Sequence, residues 1–171
     1  MANFYILTGE KQTGKTTILQ EWRKQNHLLK GIITPIDTLG KRIFKNIATN
    51  EIFSMEAERN NADGIAIGKY IFSIKAFEKA NQVILESFST LPPFLIIDEI
   101  GPLEIKQQQG FYLTLLYVSN FYQNTCTIIL VVRPSCLKDI ENLLRSNNHQ
   151  VSVYSIETFK QQILEKYFYS I

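Results

Sequence analysis

Two rhythms of apolar residues run along the chain. The first is the uninterrupted apolar run, seen in residues 3–8, in 94–97 after Pro92-Pro93, and in 125–132. Runs this short, rich in β-branched and aromatic residues, predict strands buried on both faces of a parallel sheet. The second is the helical spacing. After Lys15, Ile18, Leu19 and Trp22 recur on one face, and the segment fades at Asn26-His27 before Gly31. A helix from Ser73 or Ile74 to about Phe88 carries Phe77, Ala80, Ile84 and Leu85, and further helices are predicted over 108–122, 137–145 with Ser135 as N-cap, and 157–168. Shorter strands are predicted over 31–34, 42–48, 51–55 and 151–154, with Thr49-Asn50 turning the middle pair into an antiparallel hairpin. Polar residues 58–63 and 107–109 read as exposed loops, the former as a mobile lid. Strands alternating with helices imply right-handed crossovers and a sheet covered on both sides.

The join between the first strand and the first helix carries chemistry. Gly9-Glu10-Lys11-Gln12-Thr13-Gly14-Lys15-Thr16 matches G-x-x-x-x-G-K-[ST], the phosphate-binding P-loop. Between a strand and a helix, such a loop turns its backbone N–H groups onto phosphate oxygens, and the helix N-terminus adds partial positive charge. The N–H groups of residues 11–17 are expected to cradle the α and β phosphates. Lys15 is expected to reach the β and γ phosphates, and Thr16 to ligate Mg2+. Beyond its backbone N–H, Thr17 reads as an ordinary first-turn helix residue.

A second landmark ends the run 94–97. Asp98 and Glu99 follow it directly, the Walker B pattern, in which a carboxylate at a strand end holds the Mg2+ water shell. Asp98 takes that role. Neighbours on a strand face opposite ways, so Glu99 does not do the same job as Asp98 unless the chain turns there, and it takes a second role. One step beyond the Mg2+ acid, it is the expected general base for an attacking water.

Composition sets bounds on these readings. The chain has 171 residues, which predicts one domain over 1–171. Two distant cysteines, Cys126 and Cys136, make neither a disulfide framework nor a metal cluster, and suit a reducing, cytoplasmic setting. With 18 basic and 16 acidic residues interspersed, a net charge of +2 does not suggest a nucleic-acid-coating surface. No targeting segment is read at the N-terminus, and no apolar stretch approaches the roughly 18 residues that would cross a membrane. No protein partner is indicated.

Ile97-Asp98-Glu99-Ile100-Gly101-Pro102-Leu103-Glu104 closely resembles the Asp-Glu-Ile-Gly-x-Met-Glu signature of the small stand-alone nucleoside-triphosphatases of the thermophile type, also called cancer-related. Gly31-Ile32-Ile33-Thr34-Pro35 resembles the same family's Gly-Phe-x-Thr-Pro element, and Gly68-Lys69-Tyr70-Ile71-Phe72 resembles its Gly-x-Tyr-x-Phe strand. The resemblance runs from Asn3 to about Tyr167. It implies a P-loop fold of the RecA/ASCE type: a three-layer α/β sandwich, its central sheet mostly parallel, with an antiparallel hairpin extension. It also implies hydrolysis of ATP, GTP and other nucleoside triphosphates with loose base selectivity. Three departures stand out: Gln12 where the family has glycine, Lys41-Arg42-Ile43-Phe44 one residue short of Arg-x-Gly-Phe, and Leu103 for methionine.

Arg133 ends the strand over 125–132, at the same sheet edge as Gly9 and Asp98. A cation there either meets the charge that builds on the γ-phosphate or pairs with a nearby carboxylate. Arg42 and Lys69 read as solvated strand-edge residues, His27 and His149 as non-catalytic, and Tyr70 and Phe72 as core more than as a base stack. A nucleotide or small-molecule kinase is the alternative enzyme, although five arginines in all, at 23, 42, 59, 133 and 145, are few for clasping donor and acceptor phosphates. A nucleotide-controlled interaction module with slow hydrolysis is the other alternative.

Overall fold

The computed structural model describes residues 4–57, 64–121 and 125–168. The lid read at 58–63 lies outside them, as do Asn3 and Tyr122. Seven strands form the main sheet: β1 (Phe4–Thr8), β2 (Leu29–Ile33), β3 (Ile43–Asn46), β4 (Ile52–Ser54), β7 (Phe94–Ile100), β8 (Thr127–Val132) and β9 (Val151–Tyr154). Their spatial order is β4-β3-β2-β7-β8-β1-β9. The five strands from β2 to β9 are parallel, and β3 and β4 add an antiparallel hairpin beyond β2. Strands β5 (Gly64–Ile67) and β6 (Tyr70–Ser73) pair separately. Strand β1 is thus one strand removed from β7 on one side and directly beside β9 on the other, which fixes where each loop at the carboxyl edge stands.

The helices are α1 (Lys15–Gln25), α2 (Ile74–Ser89), α3 (Pro102–Gln107), α4 (Tyr112–Asn120), α5 (Leu137–Ser146), α6 (Ile156–Phe159) and α7 (Glu165–Phe168), with a π turn at Lys160–Leu164 between the last two. They make two outer layers because alternate strand residues face opposite ways. Leu95, Ile97, Ile128 and Leu130 enter one core with Phe77 and Ile84 of α2, Leu115 of α4 and Ile140 of α5. Phe94, Ile96, Ile129 and Val131 enter a second core with Leu19 and Trp22 of α1 and Phe159 of α6. The uninterrupted apolar runs have exactly this cause in physical terms: neither face of these strands meets water. Gly31 lets β2 lie close to β7, since a Cβ there would come within 2.1 Å of the Ile96 carbonyl oxygen.

Several boundaries differ from the pattern. The helix expected over 108–122 starts at Tyr112, because a separate helix α3 precedes it. Pro102 opens α3, the Glu104 carboxylate caps it by accepting from Gly101 N–H, and Gln108, at φ 53°, ends it in the left-handed region. Ser135 is not an N-cap. Pro134–Cys136 winds as a 3-10 turn after Arg133, and α5 begins without a side-chain cap. The closing helix starts one residue early, with Ser155 accepting from Thr158 N–H at 3.2 Å, and widens into the π turn. Gly68 and Lys69 are the turn between β5 and β6 rather than strand.

Candidate functional site

Residues 9–14 leave β1 and wrap onto the first turn of α1, and their fixed shape comes from the backbone. Gln12 sits at φ 59°, so the position where glycine was missed keeps a left-handed conformation at a cost of roughly 1–2 kcal/mol. Helix α1 begins with neither a side-chain cap nor an acid in its first turn, which leaves its N–H groups and positive end available to an anion. Lys15 Nζ folds back over the loop and donates to Gly9 O at 2.7 Å, to Glu10 O and to Thr13 Oγ1 at 3.2 Å. Burial lowers its pKa, while Asp98, Glu99 and Glu10 pull the other way.

The chain does turn at the paired acids. Glu99 lies at φ 74°, and the register of β7 on β8 shifts between Ile97 and Ile100. This bulge brings both carboxylates to one side of the strand. Thr34, just past β2, bridges them: its N–H and hydroxyl donate to Asp98 Oδ2 at 2.9 and 3.1 Å, and its hydroxyl lies 3.2 Å from Glu99 Oε2. Thr16 Oγ1 donates to Asp98 Oδ2 at 2.8 Å, tying the phosphate loop to β7 across β8. Asp98 is buried. Burial and the neighbouring Glu99 push it up to about 6, against the hydrogen bonds from Thr34 and Thr16.

Glu99 is held by two arginines. Arg42 Nη1 meets its Oε2 at 2.6 Å and Arg133 Nη2 meets its Oε1. Burial would raise the Glu99 pKa, but Arg42 and Arg133 outweigh it and keep the carboxyl below its ordinary value. Arg133 therefore does pair with a carboxylate, and that carboxylate is the one at the heart of the site. Arg42 is not simply solvated. It comes from the loop before β3 and also lies 5.8 Å from the centre of the Tyr70 ring. Phe72 is core, and Lys69 is exposed.

Glu104 closes the assembly from behind. Only 2% exposed, it accepts from Gly101 N–H at 2.9 Å and Phe111 N–H at 3.2 Å. Gly101 in turn carries the Arg133 side chain, whose Cδ would lie 3.1 Å from any Cβ placed there. Burial pushes Glu104 up to about 7, against the two backbone N–H groups. A raised pKa means that the fold holds the proton more tightly than the unfolded chain does. Ionisation of Glu104 thus costs stability, which is highest below the ordinary value of 4.5 and falls as pH rises to about 7. The cost is at most on the order of 3 kcal/mol. Glu104→Gln lacks it, so the stability gap between wild type and variant, followed by thermal unfolding, should narrow from pH 4.5 to 7.5; a constant gap would contradict this account.

Thr34 and Glu104 were given no role of their own in the sequence, and Arg42 was read there as a solvated strand-edge residue. Thr34 and Glu104 stand inside recognisable motifs, yet their partners are set by strand neighbours. Among the described residues, no group of three or more His, Cys, Asp or Glu gathers as a metal cluster, and no helix is long and apolar enough to cross a membrane. The sequence matches a family model described as NTPase over residues 4–167. No curated protein matches it. Among solved structures, the crystal structure of THEP1 from the hyperthermophile Aquifex aeolicus superposes with a TM-score of 0.68, at 17% identity over 96% of each chain. That likeness establishes the shared fold.

Proposed function

The chain belongs to the NTPase family, and from that premise we propose that it is a cytoplasmic, Mg2+-dependent phosphohydrolase that converts ATP, GTP and other nucleoside triphosphates to the diphosphate and phosphate. The observation that carries this reading is the β7 bulge, which sets Asp98 against Thr16 of the phosphate loop and turns Glu99 to the same side.

Residues 9–17 bind the phosphates through backbone N–H groups, and Lys15 trades its loop carbonyls for β- and γ-phosphate oxygens. A carboxylate and a hydroxyl bonded to each other are hard oxygen donors, and two such side chains suit Mg2+, which keeps water and phosphate in its other positions. Asp98 and Thr16 would hold it. Bound there, Mg2+ would neutralise charge on the β and γ phosphates. Glu99 orients and deprotonates the attacking water. Its two arginines hold it as a poor base until a γ-phosphate competes for them. Each arginine that turns to phosphate oxygen restores basicity to Glu99 and stabilises transferring charge, so Arg133 and Arg42 couple occupancy to activation.

Phosphate release should appear with ATP and GTP, require Mg2+, be abolished by chelation and need no acceptor other than water. Phosphoryl transfer only to an added acceptor would replace this reading with a kinase. Release without a divalent cation would remove the Asp98 and Thr16 assignments.

A further inference from the structure

Glu104 is a buried acid that the hydrolysis scheme above does not use, and its surroundings tie it to a residue that the scheme does use. Its two oxygens join the two ends of the segment that holds α3: Oε2 accepts from Gly101 N–H at 2.9 Å and Oε1 from Phe111 N–H at 3.2 Å. We propose that Glu104 is a positioning residue for the reaction: by fixing Gly101 it aims the Arg133 guanidinium, first at Glu99 and then at the γ-phosphate. The inference rests on the triphosphatase reading above and adds what holds Arg133 in place.

One end of the link is rigid. Phe111 is fully buried, and its ring centre lies 5.7 Å from that of Phe44 and 5.3 Å from that of Phe77, both edge to face, inside the core on the α2 side of the sheet. Gly110 brings this backbone against the carboxylate, since a Cβ there would come within 2.3 Å of Glu104 Oε1, and its φ of 62° favours glycine. Asn81 of α2 steadies the same turn by donating from Nδ2 to Gly110 O at 2.9 Å. The other end of the link is the site. Gly101 follows Glu99 by two residues, and the stem of Arg133 crosses it: a Cβ on Gly101 would lie 3.1 Å from Arg133 Cδ and 3.2 Å from Nε. Arg133 N–H also donates to Ile100 O at 3.0 Å. The place of Gly101 therefore decides where the guanidinium points, and Glu104 passes the rigidity of the aromatic core to it.

The choice of side chain fits this task. A preferred N-cap residue in place of Gly101, such as serine or asparagine, would set a Cβ against Arg133, so the cap of α3 falls to Glu104. Burying a carboxylate is costly, and sealing six residues of helix does not require one. Holding both N–H groups does. A carboxylate offers two acceptor oxygens, whereas glutamine accepts from one N–H and turns its own donor toward the other. Catalytic groups act at full effect only when their supporting residues lock them in place, and small misplacements of such groups cost rate.

Glu104→Gln should lower kcat for ATP with Mg2+ about tenfold and leave KM within about twofold, because a misaimed guanidinium is lost to the transition state more than to bound substrate. In an Arg133→Ala background the same change should cost little, since the group it aims is gone. An equal factor in both backgrounds, or a wild-type kcat in Glu104→Gln, overturns the proposal. Asn81→Ala frees the Gly110 turn with Glu104 in place and should act in the same way, about threefold, so it carries the test if Glu104→Gln does not fold. Nitrogen-15 NMR gives a reading that needs no turnover. The Arg133 Nε–H resonance, identified by its loss in Arg133→Ala, should shift and broaden in nucleotide-free Glu104→Gln, and an unmoved resonance overturns the proposal as well. If the wild type hydrolyses no triphosphate but that resonance still responds, the triphosphatase reading fails while the hold of Glu104 on Arg133 stands.

Discussion

Glu99→Gln should lower turnover by about a hundredfold or more while leaving nucleotide affinity unchanged or slightly tighter. The amide keeps the shape of the side chain and one acceptor oxygen but cannot take a proton from water. It also stops neutralising Arg42 and Arg133, both of which reach Glu99 within ordinary ion-pair distance and are only partly exposed. Released from the carboxylate, both guanidiniums are available to phosphate from the start, so KM should not rise. A reduced melting temperature is expected as well, because two cations remain with no carboxylate between them. Steady-state kinetics separate these effects. A variant that hydrolyses at the wild-type rate would show that Glu99 is not the base and would leave it as an anchor for the two arginines.

Lys15→Ala should reduce hydrolysis by about a thousandfold and weaken triphosphate binding more than diphosphate binding. The ammonium is a charge-assisted donor on a long stem, placed at the mouth of the loop, and its contact strengthens as charge builds on the bridging and γ oxygens. In the fold itself it spends its donors on Gly9 O, Glu10 O and Thr13 Oγ1. Those acceptors are near solvent, and water replaces the lysine there at little cost. The variant should therefore keep its melting temperature in the absence of nucleotide. Equal losses of affinity for triphosphate and diphosphate, measured by calorimetry, would contradict the β/γ assignment.

The phosphate loop and the paired acids were legible because their signals are local. Eight residues from Gly9 to Thr16 determine one turn, and four apolar residues before Asp98 mark a strand that ends in acid. Helix α3 was missed because it is six residues long, below the length at which apolar periodicity shows, and is set by Pro102 at its start and by the Glu104 carboxylate reaching back to Gly101 N–H. Ser135 misled for a related reason: a preferred cap residue carries no weight once Pro134 has wound the chain into a 3-10 turn.

By itself, the sequence determined which strands are buried on both faces, where the P-loop turn lies and which two acids stand nearby, since each depends on neighbours along the chain. The tertiary structure decided what those groups touch. Arg42 lies 57 positions from Glu99 and Thr34 lies 64 from Asp98, and they meet only because β2 pairs with β7 and the hairpin continues beyond it. The direction of Glu99 is likewise a tertiary outcome. A residue on a regular strand would have pointed away from Asp98, and the bulge between Ile97 and Ile100 is held by contacts to β8 and by the two arginines, so no local pattern encodes it.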